Sequence, residues 1–308
     1  MMKAAICTRY GSPDVLHITE VPRPVPKSND LLIKVHASAV HSGDRRMRSL
    51  DVPLLGKLPM RLAVGFKRPR QPILGAVLAG EVVEVGQDVK QFQVGDRVHA
   101  LTGFGFGGYA EYACVSEKRC IAKMPHHASY TEAVCLPFGG TTSLHFFRKL
   151  QIDQMKTILI YGASGAVWTA AVQIAKAKGL QVTAVCSGRN TERVKALGAD
   201  HVIDYTKDGY DGLLLKYDAV FDASGKINKT KAKRHVKQNG AFTSVAGQGV
   251  AKERKEHLHY LNELFEAGRF KAVIDHIYSL DEIVEAHRYV DHGQKFGNVV
   301  VLIAEEKE

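Results

Sequence analysis

The stretch ILIYGASGAVWTAAVQIAKAKG, Ile158–Gly179, has the residue types of a turn that receives an anion. Thr157 to Tyr161 is apolar and β-branched and closes at Gly162. From Val167 the apolar and small residues Val167, Ala170, Ala171, Ile174 and Ala175 recur at helical spacing until Gly179. A second strand follows at once, Gln181–Cys186, which completes a βαβ unit of the kind that binds dinucleotides. In that unit the first glycine makes the turn, the second lets the backbone approach a pyrophosphate, and the third lets the helix pack closely on the strand. Gly162 and Gly165 suit the first two places, and Trp168, the only tryptophan, fills the third. Its indole has three orientations open to it. In the strand–helix seam it overpacks by about 1–3 kcal/mol; toward the turn it takes pyrophosphate space; toward a cleft between domains it leaves the turn usable.

The tip of the second strand decides which dinucleotide is expected. A carboxylate there bonds the adenosine ribose hydroxyls of NAD, whereas hydroxyl and guanidinium groups suit the extra phosphate of NADP. The tip reads CSGRN, with Ser187, Arg189 and Asn190 and no carboxylate before Glu192. NADP(H) is therefore the expected cofactor, because Arg189 offers phosphate a planar, charge-assisted fork. An ordinary surface arginine in a loop remains the alternative.

The elements that must carry this turn change character along the 308 residues. Short strands crowd the first third: Lys3–Cys7, Leu16–Val21, Asp30–Ala39, Ala79–Val85, Arg97–Leu101 and Ala110–Val115, with Gly, Pro, Asn and Asp between them. Such spacing predicts a compact β-barrel-like domain. Strands at Thr157–Tyr161, Gln181–Cys186, His201–Asp204, Ala219–Asp222 and Ala241–Ala246 then alternate with helical segments, which predicts a doubly wound parallel sheet. A last helix near Leu280–Asp291 and a strand near Gly297–Ile303 follow a return to the first domain.

Composition narrows the function classes. The chain is 45% hydrophobic, ordinary for a globular protein, and no run approaches the roughly 18 apolar residues of a membrane span. The start lacks the apolar core of a signal peptide, so a cytoplasmic protein is expected. Five scattered cysteines without paired spacing predict free thiols rather than disulfides or a cysteine-rich zinc site. A net charge of +10 favours anionic ligands in general. The densest basic run, Gly225–Gly240, reads as a helix with a solvated face, and MRLAVGFKRPRQP, Met60–Pro72, as an exposed loop. Neither carries the interleaved aromatics that stack on bases, which argues against nucleic acid.

Taken together, LLIKVHASAVHSGD, GEVVEVGQDVKQFQVGDRV, GGYAEYACV, LPFGGTTSLHF, the Gly162–Gly165 turn, LGADHVIDYT, YDAVFDASG and EAHRYVDHGQKFGNVVV resemble the medium-chain dehydrogenase/reductase superfamily, in its zinc-independent quinone oxidoreductase-like branch. The resemblance implies an α/β protein: a GroES-like β-barrel domain of residues 1–122 with 275–308, and a Rossmann doubly wound parallel-sheet domain of residues 123–274, with the active cleft at their junction. It implies that Thr142 lies near the nicotinamide and that Gly162, Ala163, Ser164, Gly165, Ala166 and Val167 receive the pyrophosphate. Ser187, Arg189 and Asn190 would hold the adenosine phosphate beside Tyr205, while Ser224, Gly225, Ala246 and Gly247 end strands at the cofactor edge. His41 and Asp44 are candidate catalytic groups of the substrate pocket; His41 either donates to a carbonyl or is structural. The cysteine and His-Glu pair of zinc-dependent relatives are replaced by VHSGD and ILGAVLAG, so no metal is expected.

The reaction implied is hydride transfer from NADPH to a small electrophile, a quinone or an α,β-unsaturated carbonyl. The protein's part is to align the reactants and stabilise the oxyanion. After Gly247 and Gly249 the chain passes almost directly into a charged helix, where relatives carry a longer segment with a subunit-joining edge strand. A homodimer therefore lacks its usual strand. That shortening and Trp168 motivate the alternative, a catalytically impaired member that serves as a binding or regulatory protein.

Overall fold

The computed structural model describes residues 1–51, 60–62, 64–162, 165–225, 227, 229–247 and 251–304. In chain order its first elements are β1 Met2–Cys7, β2 Leu16–Val21, β3 Asp30–Val40, α1 Ser42–Ser49, β4 Val77–Val85, β5 Arg97–Leu101, β6 Tyr112–Ser116, β7 Cys120–Lys123 and α2 Tyr130–Ala133. There follow α3 Leu136–Lys149, β8 Thr157–Tyr161, α4 Ala166–Ala177, β9 Gln181–Cys186, α5 Thr191–Ala196, β10 His201–Asp204, β11 Tyr217–Asp222, α6 Lys229–Lys233 and β12 Val236–Ser244. The last are α7 Lys255–Glu266, β13 Ile274–Ser279, α8 Ile283–His292 and β14 Asn298–Leu302. They form two units, Met1–Pro137 with Ile274–Glu308, and Phe138–Val273.

In the first unit the sheet runs β13-β14-β3-β4-β5-β7, with β6 also on β3, and β1 and β2 pair separately. The central strand β3 is long and almost wholly buried because both of its faces are covered. Leu31, Ile33 and Val35 alternate onto a cluster with Leu78, Val82, Val98 and Ile121. Val40 at its end joins a second cluster with Met47, Tyr109, Ile283, Val299 and Val301. Both chain ends therefore build one core: β14 pairs antiparallel with β3, Val300 opposite Ala39. The region expected as an exposed loop, Met60–Pro72, holds a helical turn at residues 60–62.

The second unit is a five-stranded parallel sheet of order β10-β9-β8-β11-β12. Ile158, Leu159 and Ile160 of β8 are all buried, as a strand covered on both faces requires. From β8 the chain goes outward to β9 and β10, then returns to the other side for β11 and β12. The order reverses beside β8, which is where open α/β sheets bind ligands. The basic run expected as one helix is instead the short α6 followed by β12. The reason is local: Val236 pairs with Tyr217, Ala232 is buried in the same core, and two of the cations have carboxylate partners, Lys231 with Asp211 at 2.7 Å and Lys237 with Asp218 at 2.9 Å.

The glycine pair in LPFGGTTSLHF is explained by helix packing. A Cβ on Gly139 would overlap the Ala166 carbonyl oxygen in the first turn of α4, and one on Gly140 would overlap the Leu261 side chain of α7. Ser143 Oγ lies 2.8 Å from the Gly139 and Val167 carbonyl oxygens and ties the same two helices. Backbone cannot yield as a leucine methyl can. Gly139→Ala is therefore expected to cost about 1–3 kcal/mol of unfolding free energy, and Gly140→Ala less, by urea denaturation. Equal or negligible losses would contradict this packing.

Candidate cofactor and active site

At the strand reversal, Gly162 adopts φ +145°, a conformation that L side chains rarely take. A Cβ there would lie 3.1 Å from Trp168 Cδ1 and 3.2 Å from both Ala223 Cβ and Ser224 N. Ala163 and Ser164 lie outside the described residues. Gly165 is the N-cap of α4, without a side-chain cap, and the first helical bond is Thr169 N–H to Gly165 O at 3.0 Å. The amides of Ala166 and Val167 thus head the helix at its positive end, which suits a pyrophosphate. Trp168 is 1% exposed with its Cδ1 edge beneath Gly162. Of its three orientations the indole takes the turn side of the strand–helix seam.

The adenosine end is built by β9 and β10. Asn190 is buried, and its Nδ2 donates to Ser187 Oγ at 3.3 Å, so it braces the one-turn helix Gly188–Asn190. Arg189 and Tyr205 are exposed on the same edge, where the Tyr205 amide donates to Cys186 O at 3.0 Å. The structure adds Asp204, which the tip sequence does not announce. Parallel pairing places Asp204 beside Cys186, and its carboxylate leaves no room for a Cβ on Gly188. The Thr206 hydroxyl and amide donate to Asp204 and lower its pKa. A register argument between β9 and β10 would have found it.

A second unannounced residue, Asp222, organises the ends of β11 and β12. Buried at 0% exposure, its Oδ1 accepts from Ser224 N at 3.0 Å, Ser224 Oγ at 2.7 Å and Gly225 N at 3.0 Å. Its Oδ2 accepts from Ile227 N at 3.2 Å and Ser244 Oγ at 2.9 Å. Ser244 Oγ in turn accepts from the Ala246 amide, and Gly247 follows at φ +72°. The structure thus gathers Ser224, Gly225 and Ala246 around one carboxylate. Thr142 is half-buried on α3 between the buried Thr141 and Ser143. These features fit a dinucleotide along the strand ends.

In the first unit His41 is the N-cap of α1 and Asp44 its third residue, whose carboxylate reaches back to the N-cap amide. The buried Asp44 carboxylate accepts from His41 N at 3.1 Å, His41 Nδ1 at 2.8 Å and Ala76 N at 3.0 Å. Burial works to raise its pKa, but the His41 hydrogen bond and charge and the His41 amide outweigh it and hold the carboxyl below its ordinary 3.8. With Nδ1–H given to Asp44, the neutral His41 ring offers a lone pair at Nε2, and only the imidazolium donates there. Around this pair lie Tyr109, whose pKa is driven up by burial and by Asp44, and His287, whose ring meets Tyr109 edge-on at 5.6 Å. Arg48 closes the cluster with a two-pronged contact to Asp291 at 2.7 and 2.9 Å. Nearby, burial pushes the Lys295 amine down to about 8, against the pull of Cys135, Asp275 and Asp44.

Comparison with known proteins places the chain. Residues 27–126 match the model of an alcohol dehydrogenase GroES-like domain, and residues 166–273 and 248–301 match models described as zinc-binding dehydrogenase. The chain is 35% identical to the 2-methylene-furan-3-one reductase of Solanum lycopersicum, over 97% of its length and 79% of that protein's. It is 34% identical to a chloroplastic quinone-oxidoreductase of Triphysaria versicolor over 98% of both. The quinone oxidoreductase structure from Coxiella burnetii superposes with a TM-score of 0.86 at 30% identity, covering 98% of this chain and 99% of that one. The chain belongs to the medium-chain dehydrogenase/reductase superfamily, in its quinone-oxidoreductase-like branch.

Within this superfamily the match to zinc-binding models raises the question of a metal. Among the described residues no group of three His, Cys, Asp or Glu side chains converges as a zinc site requires. The 342 aligned positions of the Triphysaria relative exceed the 308 residues of this chain, so that relative carries residues absent here.

His287 gives a pH test of the buried cluster. Burial, followed by the charges of Arg48 and His41 and opposed by Asp44 and Asp291, pushes its pKa from 6.5 to about 4. The unfolded ring therefore protonates before the folded one. Its share of stability is full above pH 6.5 and is lost as pH falls through 6.5 toward 4, a loss of order 3 kcal/mol. Denaturant midpoints of the wild type are expected to fall across this window, and those of His287→Leu to fall less. Parallel curves would show that His287 is not held neutral.

Proposed function

We propose that this superfamily member is an NADPH-dependent, zinc-independent oxidoreductase that reduces a quinone or an α,β-unsaturated carbonyl. The observation that carries the proposal is the uncapped amino terminus of α4 behind Gly162, facing strand ends organised by Asp222. Relatives are named for the same chemistry, among them an NADPH-dependent alkenal/one oxidoreductase of Arabidopsis thaliana, 32% identical over 97% of this chain. Others are named NAD(P)H oxidoreductases, which supports a nicotinamide cofactor more broadly.

In this proposal the turn from Gly162 to Val167 holds the pyrophosphate with backbone N–H groups and the helix dipole. Ser187 and Arg189 take the adenosine phosphate, with Asn190 bracing their turn and Tyr205 against the same end. Ser224, Gly225, Ala246 and Gly247 border the ribose and nicotinamide, and Thr142 lies near the ring. Bound NADPH supplies the hydride. His41 is the group that meets the developing oxyanion, and Asp44 positions its ring through Nδ1. The substrate is a small electrophile, and any homodimer uses a surface other than the strand that follows β12 in relatives. No helix among the described residues is long and apolar enough to cross a membrane. Cytoplasmic placement belongs to this proposal too, although relatives are named chloroplastic and mitochondrial.

The second reading, a non-catalytic binding protein, rests on Trp168 under the phosphate turn. Calorimetry separates the two. The wild type is expected to bind NADPH at low-micromolar Kd, and Arg189→Ala to lose about tenfold for NADPH with little change for NADH, as removal of one charge-assisted fork implies. A quinone and enone screen should then show turnover. Binding that appears only in Trp168→Gly would favour the non-catalytic reading.

A further inference from the structure

Cations gathered in a cleft repel one another, and an anion that enters relieves the repulsion. The second unit has such a cleft, of about 280 Å³, lined by His145, Arg148 and Lys149 of α3, Lys252 and Arg254 of the segment entering α7, and His257 of α7. Among the described residues no carboxylate lines it; Glu253 and Glu256 are the acids of the same stretch. Arg148 and Lys149 lie about 14–15 Å along α3 from Gly139, where α3 meets the phosphate turn of α4. This cleft is therefore separate from the proposed cofactor edge.

The wall of the cleft is set to donate. The Lys252 amide lies 3.2 Å from His145 Nδ1, and a backbone N–H can only donate, so Nδ1 accepts and the ring carries its proton on Nε2. Burial, then Lys149, Arg254 and Arg148, lowers the His145 pKa and agrees with a neutral ring. His257 is lowered in the same way by burial and by Arg254, His145 and Arg148, against the pull of Glu256. Its Nδ1 is buried and has no hydrogen-bond partner among the described residues. The Lys149 ammonium is held over the Phe146 ring at 5.1 Å, beside the cleft.

We propose that this cleft is a binding site for a small phosphate-bearing anion, engaged by the Arg148 and Arg254 guanidiniums, the Lys149 and Lys252 ammoniums and His145 Nε2–H. Guanidinium forks and ammonium groups together suit a multiply charged tetrahedral oxyanion. The volume, at the low end of the roughly 300–1,000 Å³ of small-molecule sites, suits a free phosphate or a small phosphate ester.

The test is calorimetric titration of the full chain with inorganic phosphate and glycerol 3-phosphate at fixed ionic strength. One site per chain is expected for at least one of them. Its affinity should fall tenfold or more in Arg148→Ala/Arg254→Ala and by a smaller factor in Lys252→Ala, whose side chain is exposed and whose loss should leave the fold intact. Arg189→Ala, at the other edge, should leave it unchanged. Absence of saturable binding, binding that survives the double substitution, or binding abolished by Arg189→Ala would each overturn the proposal. Co-sedimentation with phosphatidylglycerol–phosphatidylcholine vesicles forms the lipid arm. Retention on vesicles by a chain that binds none of the free anions would overturn the small-ligand site in favour of a membrane surface.

Discussion

The aim of one helix governs the cofactor edge. The first turn of α4 can present its amides only if the helix lies flat against α3, and that contact is made backbone to backbone, with Gly139 against the Ala166 carbonyl. Ser143 then fixes the azimuth by reaching the Val167 carbonyl. A side chain at residue 139 would push the helix start away from β8 and with it the positive end of the dipole. The small residues of LPFGGTTSLHF are thus requirements of distance rather than of flexibility. Gly140 repeats the logic one position on, for α7.

Charge burial imposes a comparable constraint in the first unit. Asp44 is enclosed, yet it accepts three hydrogen bonds, one of them from Ala76, 32 residues away. A buried carboxylate so satisfied holds α1, the His41 ring and the Ala76 strand entry in one arrangement, and removing a partner costs more than forming the bond gained. Tyr109, His287 and Arg48 surround it, and Arg48 of α1 holds α8 through Asp291. The final helix and strand of the chain therefore complete the setting of a residue near its start.

Parallel strands buried on both faces announce themselves as apolar runs, so β8 and β9 begin and end where the residues indicate; the edge strand β10, only half-buried, does so between its flanking turns. The same patterning finds α4 and the glycine turn. It does not find Asp222 or Asp204: their turn contacts are local, with Ser224, Gly225 and Ile227 for one and Thr206 for the other, and their reach to a neighbouring strand, Ser244 on β12 and Gly188 beyond β9, exists only in the folded sheet. β12 is misread from residue 236 to 240 for a related reason. Lys237, Gln238 and Asn239 look helical and solvated in isolation; they stay exposed, but the Val236–Tyr217 and Ala241–Ala219 pairs on either side hold them as a bulge of the strand, and Lys237 meets Asp218. Local composition records what a segment prefers alone, and these positions are decided by partners distant in sequence.

Trp168 and the short path from β12 to α7 act at different places in the second unit. The indole fits where the small third residue of the turn would be, wholly buried, its edge 3.1 Å from the Cβ that Gly162 lacks. Any side chain at residue 162 would therefore need the tryptophan to move, so the two residues are coupled and a substitution at one is read through the other. The path from β12 to α7 acts elsewhere. Only ten residues separate Ser244 from Lys255, and this short path lays Lys252 against His145 and sets six nitrogen-bearing side chains around one cleft. Lys252 and Arg254 of this path thus add positive charge beside the far end of α3, away from the dinucleotide turn.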